Sequence, residues 1–303
     1  MSRTVFSLDE DLGLALRLAD AADAISRERF LAQDLVVEAK PDRTPVTDAD
    51  KAIELAIIDL LGKERPEDFM LGEEFGEQAG PVAEHPLGTA DHPYRQWIID
   101  PIDGTANFLR GVPVWATLIA LAIDGDPVIG VVSAPALGKR WWAAADNGAW
   151  VDESGDPLSS LPLPDGLTGV LGEPIEAKPE PRRLRVSAVS HLADASLSYN
   201  NLQQWDQAGY LDELVALSRR VWRTRAYGDA WSYMMLAEGL LDAVAEFDLK
   251  PYDMAALIPI VREAGGRFSS VDGHNDCWHG TALATNSHLH NDMREALSRT
   301  NSV

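Results

Sequence analysis

The stretch Trp97-Ile98-Ile99-Asp100-Pro101-Ile102-Asp103-Gly104-Thr105-Ala106-Asn107-Phe108-Leu109-Arg110-Gly111 decides how the rest of the chain is read. Its first residues predict a short apolar strand, Trp97 to Ile99, ending on two carboxylates, Asp100 and Asp103, that bracket a proline. Pro101 fixes its own φ and biases Asp100 away from helix, so the chain leaves the strand in a defined direction. Gly104 lets the backbone pass close to a ligand, and the amides after it can turn toward an anion. Carboxylates for a divalent cation and N–H groups for a phosphate thus fall within one short loop.

The surrounding composition sharpens that reading. The 303 residues are 46% hydrophobic and 24% charged, ordinary values for a folded chain of one large or two smaller domains. The 48 acidic and 26 basic residues leave a formal charge of -22, which repels nucleic acid and anionic membrane alike. An anionic substrate would meet the same repulsion unless bound cations reverse it locally. No signal-peptide pattern and no apolar run of about 20 residues occurs, so a cytoplasmic protein is expected. Cys277, the single cysteine, lies near His274 and His279, an incomplete set for zinc in a turn-rich segment.

Ser7 and Glu10 read as a capping box opening a helix to about Phe30, and Thr47 with Asp50 opens a second, with Ala52, Ile53, Ala56, Ile57 and Leu60 as its expected buried face. Phe69 to Leu71 reads as a strand running into Gly72-Glu73-Glu74, followed by a surface loop over 78–94. From Thr117 to Val151 short β runs are punctuated by Asp124-Gly125 and Asn147-Gly148, the pattern of an antiparallel meander. Residues 152–183 are rich in Pro and Gly and mark the passage to a second unit, giving expected subdomains 1–155 and 156–303. Beyond it strand and helix alternate: Leu184 to Val189 extended, Asp212 to Arg220 helical, Trp231 to Glu238 helical, Asp242 to Glu246 extended, Met254 to Ala264 helical, and a last helix from about His290. The expected class is α+β or α/β in layers, with the meander in the first half and an α/β second half.

Glu73, Asp100, Asp103 and Asp253 each stand at the end of an apolar strand or the start of a helix. If they converge, the cost of burying unpaired charge requires a cation. Oxygen ligands alone select Mg²⁺, Ca²⁺ or Mn²⁺ over Zn²⁺, and Mg²⁺ usually binds together with substrate phosphate.

Gly72-Glu73-Glu74, Asp100-Pro101-Ile102-Asp103-Gly104-Thr105 with Asn107-Phe108, and Asp253-Met254-Ala255-Ala256 leading to Glu263-Ala264-Gly265-Gly266 resemble, in order and spacing, the inositol monophosphatase family of metal-dependent phosphomonoesterases. The resemblance implies a layered αβαβα fold of the sugar-phosphatase type. It implies Glu73, Asp100, Asp103 and Asp253 as metal ligands with the Ile102 carbonyl, and Asp50 helping to hold a third ion. Two to three Mg²⁺, or Mn²⁺, would bind per site. Gly104 and Thr105 would receive the phosphate on their amides, and the Thr105 hydroxyl with Glu73 would orient and deprotonate the attacking water. A homodimer acting on a small phosphate monoester is implied as well.

There are two departures. Tyr252 stands where the family usually has tryptophan, and Asp229, after Gly228, stands where inositol phosphatases carry a small residue. The segment Arg223 to Trp231, with Ser198-Tyr199-Asn200-Asn201, resembles the histidinol-phosphate phosphatases of this superfamily. Their substrate carries an ammonium and an imidazole, for which Asp229 and Glu246 would supply counter-charge. As an ordinary alternative, Asp229 caps the helix beginning near Ala230. Rival readings are an inositol-1-monophosphatase, a broad sugar phosphatase, and a non-catalytic regulator on the same fold.

Overall fold

The computed structural model describes residues 7–40, 44–80, 93–155 and 180–298. Most of the expected 78–94 loop and 152–183 passage therefore lies outside the described residues. The first half runs α1 (Leu8–Arg29), β1 (Val37–Ala39), β2 (Pro45–Thr47), α2 (Asp48–Glu64), β3 (Phe69–Gly72), β4 (Gly76–Ala79), β5 (Arg95–Asp103), α3 (Thr105–Leu109), β6 (Ala116–Ile123), β7 (Asp126–Ala134), β8 (Lys139–Ala144) and β9 (Ala149–Asp152). The second runs β10 (Arg182–Arg183), β11 (Ser196–Ser198), α4 (Leu202–Gln207), α5 (Leu211–Ser218), β12 (Arg223–Arg225), α6 (Asp229–Ala237), β13 (Ala243–Phe247), α7 (Pro251–Met254), α8 (Leu257–Glu263), β14 (Arg267–Ser269), β15 (Thr281–Thr285) and α9 (His290–Leu297).

Among the described residues an eight-stranded sheet has the order β10-β9-β8-β7-β6-β5-β3-β4, and a five-stranded sheet the order β12-β11-β13-β15-β14. The β6–β9 run is the expected meander, an extension of β5; Asp124 and Gly125 turn β6 into β7 with positive φ, and at the expected Asn147-Gly148 turn the positive φ values fall on Asp146 and Gly148. β3 lies parallel to β5, which brings the end of Gly72 beside Ile99. β10 pairs with β9, so chain from beyond residue 156 extends the first sheet.

Alternation along β5 explains the layering, because successive strand residues face opposite sides. Trp97 and Ile99 pack with α1 and α2 on one side of the large sheet. Ile98 faces the other side, where Tyr233 and Met234 of α6 and Leu257 and Ile260 of α8 fill the space up to Ala284 of the small sheet. The outer side of the small sheet, through Leu197, Ala245 and Leu283, carries Trp205, Leu214 and Met293 of α4, α5 and α9. This is the expected αβαβα order. Trp141 and Trp142 point into opposite faces of β8 and are core residues.

Local expectations were corrected at three places. Residues 184–189 form no strand, since regular pairing stops at Arg183. Met254 to Ala264 is divided into α7 and α8. The buried face of α2 is Ala49, Asp50, Ile53, Glu54, Ile57 and Leu61, whereas Ala52 is exposed. Two acids replace alanines on the inward face, and both turn toward the site described below.

His290 opens α9 with no exposed surface, its ring nitrogens 3.1 Å from Ser269 Oγ and 3.1 Å from Thr285 Oγ1. Burial, then the Arg267 and Arg294 charges, push its pKa from 6.5 down to about 4. The unfolded chain takes up this proton near pH 6.5 while the native chain refuses it until about pH 4. Stability should therefore fall as pH drops through that window, by up to about 1.4 kcal/mol per unit. Urea unfolding at several pH values checks this: His290→Gln should flatten the slope, and an unchanged slope would remove His290 as its source.

Candidate active site

The carboxylates converge where β3, β5 and the N-termini of α6 and α7 meet. β5 continues through Pro101 to Asp103, with Asp100 opposite Leu118, Asp103 opposite Ala116 and a register shift between them. The proline removes one ladder donor, and the Thr117 hydroxyl donates to its carbonyl at 2.8 Å, so the irregular backbone is held. Both acids thereby leave the same strand end. Gly104 follows with φ 87°, a left-handed conformation that a side chain would strain, and starts α3.

Asp100 is 2% exposed, and its Oδ1 is buried without a hydrogen-bond partner. Burial and the charges of Glu73, Asp103 and Asp253 raise its pKa well above the usual carboxylate range. Asp103 is raised in the same direction by burial and then by Asp229. Its Oδ2 accepts the Ala230 N–H at 2.7 Å, which ties the end of β5 to the start of α6. Asp253, in the first turn of α7, accepts the Lys250 N–H at 2.7 Å and is pushed to about 7, first by burial. Glu73 sits just past β3, its own N–H on the Ile99 carbonyl at 3.2 Å. Tyr252, next to Asp253, packs against the central core.

Asp50 completes the capping box of α2, accepting from the Thr47 N–H at 2.8 Å and the Thr47 hydroxyl at 2.5 Å. Its other oxygen lies 3.4 Å from Thr105 Oγ1, and that hydroxyl donates to the Ile102 carbonyl at 3.0 Å. The capping and site roles of Asp50 are therefore compatible. Burial lifts Asp50 to about 6.

Asp229 does not cap α6. It is the first residue of the helix with φ 50°, no side-chain cap bond is present, and its Oδ2 accepts from Asn107 Nδ2 of α3 at 3.0 Å. Glu246, on β13, accepts the Tyr233 hydroxyl at 2.6 Å and is pushed to about 7, mainly by burial. Asp103, Asn200, Asp229, Tyr233, Glu246 and Asp253 line one cavity of about 620 Å³.

Two residues escaped the sequence reading. Lys40, just past β1, places its ammonium 2.7 Å from both Glu73 and Glu74. Burial opposes its charge, yet the two carboxylates hold its pKa above the usual lysine value. Glu54 is wholly buried on α2. No local signal marks either one, because each meets its partners only through tertiary structure.

The donor set tests well against divalent cations. Among the described residues no group of three or more histidine, cysteine, aspartate or glutamate side chains is drawn together closely enough to hold a metal ion as it stands. Mg²⁺ needs no closed cage, since it keeps several waters and takes few carboxylates. The unpartnered Asp100 oxygen and the mutual repulsion of Asp100, Asp103 and Asp253 call for added positive charge. Cys277 is buried, and the His274 and His279 rings stack 3.7 Å apart with His279 Nδ1 2.7 Å from Asp276.

The layered fold and this all-oxygen, cation-seeking site define a phosphatase of the sugar-phosphatase type. Comparison makes this specific: a model of the inositol monophosphatase family matches residues 7–301. The chain belongs to the inositol monophosphatase family. It is 47% identical over 289 residues to a histidinol-phosphatase of Mycobacterium tuberculosis, covering 95% of this chain and 98% of the relative. It is 50% identical over 288 residues to a histidinol-phosphatase of Streptomyces coelicolor, covering 94% and 95%. Among solved structures, the extragenic suppressor protein suhB from Bartonella henselae superposes with TM-score 0.76 at 28% identity, covering 97% of this chain and 100% of that one. No helix of the described residues is long and apolar enough to cross a membrane.

Proposed function

We propose that this chain hydrolyses L-histidinol phosphate to L-histidinol and phosphate as a Mg²⁺-dependent phosphomonoesterase of histidine biosynthesis. The observation that carries the substrate is Asp229, held by Asn107 and sharing a cavity with Glu246 beside the carboxylate cluster. A leaving alcohol bearing an ammonium and an imidazole calls for fixed negative charge, whereas a neutral polyol does not. The relatives at 47% and 50% identity, both histidinol-phosphatases, support the same reading.

In this reading Glu73, Asp100, Asp103, Asp253 and the Ile102 carbonyl would hold two Mg²⁺ ions, with Asp50 helping to hold a third, and Mn²⁺ would substitute. When bound, the ions supply a lowered pKa for water and positive charge for the phosphoryl and leaving oxygens. The chain's own groups do the rest. The Gly104 and Thr105 amides, at the first turn of α3, bind phosphate oxygens, and the Thr105 hydroxyl orients the attacking water while a Glu73 carboxylate oxygen takes its proton. Asp229 and Glu246 bind the cationic leaving group and set its orientation. The division at 155/156 would then separate a unit carrying most ligands from one carrying Asp253 and the specificity residues. The enzyme would act in the cytoplasm as a homodimer.

Phosphate release from histidinol phosphate, inositol phosphate and sugar phosphates tests this directly. With Mg²⁺ present, histidinol phosphate should give the highest kcat/KM, and EDTA should abolish the activity until Mg²⁺ is restored. Faster turnover of inositol phosphate would overturn the substrate assignment. Activity indifferent to EDTA would overturn the metal.

A further inference from the structure

The carboxylate of Glu54 is spent on the turn that carries Glu73. Its Oε2 accepts the Glu74 N–H at 2.8 Å and its Oε1 the Phe75 N–H at 2.9 Å. Glu54 has no exposed surface. The approach is so close that a Cβ added at Gly72 would fall on the Glu54 carboxylate, so any side chain there would have to displace it. Glu73 itself donates its N–H to the Ile99 carbonyl, immediately before Asp100.

Three successive N–H groups, of Glu73, Glu74 and Phe75, thus have fixed acceptors, one on β5 and two on Glu54. A turn pinned on both sides leaves its side chain few directions, and here the Glu73 charge is the largest acting on Asp100. Glu54 stands one helical turn beyond Asp50 on the same inward face of α2, so two acids spaced i, i+4 serve the site differently. Asp50 meets Thr105, and Glu54 meets the backbone behind Glu73.

We propose that Glu54 is a positioning residue that sets the direction of Glu73 for divalent-cation binding without touching the cation. The inference rests on the proposed ligand role of Glu73 and is independent of which alcohol leaves. Outer partners of metal ligands typically govern affinity by about 10–100-fold. Glu54→Gln keeps the shape but aims an NH₂ at one of two N–H donors, so the turn must shift. Glu54→Asp keeps the charge one methylene short and should be intermediate.

The test is calorimetric titration of the metal-free full chain with Mg²⁺ and Mn²⁺, without substrate, on variants shown to be folded by circular dichroism. Weakening of the dissociation constant by about 10-fold or more in Glu54→Gln, with Glu54→Asp between it and wild type, supports the proposal. A merely structural role would lower the melting temperature of the metal-free variants and leave the affinity of the folded protein unchanged. Affinities within about twofold of wild type in both variants would overturn the proposal, and Glu54→Asp carries the test alone if Glu54→Gln does not fold. A wild-type chain that binds neither ion overturns it together with the metal reading, while a wrong substrate assignment leaves the titration untouched.

Discussion

Asp103→Asn is expected to lower kcat by about 10³-fold or more while the metal-free protein becomes no less stable. Both halves of that expectation come from the same geometry. Asp103 Oδ2 accepts the Ala230 N–H at 2.7 Å, and an asparagine oxygen can accept it equally, so the link from β5 to α6 survives. The negative charge is what disappears, from a place already crowded by Asp229, Asp253 and Glu246. Without metal, each buried like charge raises the energy of the fold, and removing one relieves it. In the proposed metal-bound state the same charge would hold the cation, and several kcal/mol of phosphoryl charge stabilisation would depend on it. Turnover in Mg²⁺ and melting in EDTA together provide the measurement. A variant retaining more than about a tenth of wild-type kcat would show that Asp103 is not a ligand.

The opening stretch was legible because its chemistry is local. Asp100, Pro101, Asp103 and Gly104 are neighbours in sequence, and β5 carries them to one strand end whatever the distant packing does. Capping boxes at Ser7/Glu10 and Thr47/Asp50 were legible for the same reason, since their hydrogen bonds close within four residues. Periodicity misjudged α2 because it treats acids as outward residues. Glu54 is buried and Ala52 exposed; the turn after Gly72 explains the burial of Glu54, as the Thr105 contact does that of Asp50. The short strands β11 and β14, at three residues each, are below the length at which alternation can be read. Lys40 was invisible as a site residue, because nothing near it in the chain indicates that two carboxylates wait 33 and 34 residues away.

Asp229→Ser is expected to reduce kcat/KM for histidinol phosphate by about 10²-fold or more and to leave inositol phosphate turnover within a few-fold. Asp229 adopts a positive φ of 50° outside glycine, a conformation that persists only when its surroundings hold it. Asn107 of α3 supplies that hold, and the side chain contributes no cap to α6, which leaves only the modest first-turn dipole effect as a helix-stability reason for an acid there. An aspartate at this point adds repulsion to Asp103, a cost that a cationic substrate offsets and a neutral polyol cannot. Serine removes the charge and the repulsion together, so the chemistry should continue while the preference collapses. Glu246→Gln gives the graded control, because a glutamine oxygen can still accept the Tyr233 hydroxyl and only the charge is lost. An unchanged ratio of kcat/KM for histidinol phosphate over inositol phosphate in Asp229→Ser would move specificity elsewhere in the cavity. A loss of turnover on both substrates alike would instead assign Asp229 to the reaction itself, through its contact with the loop that holds Asp103.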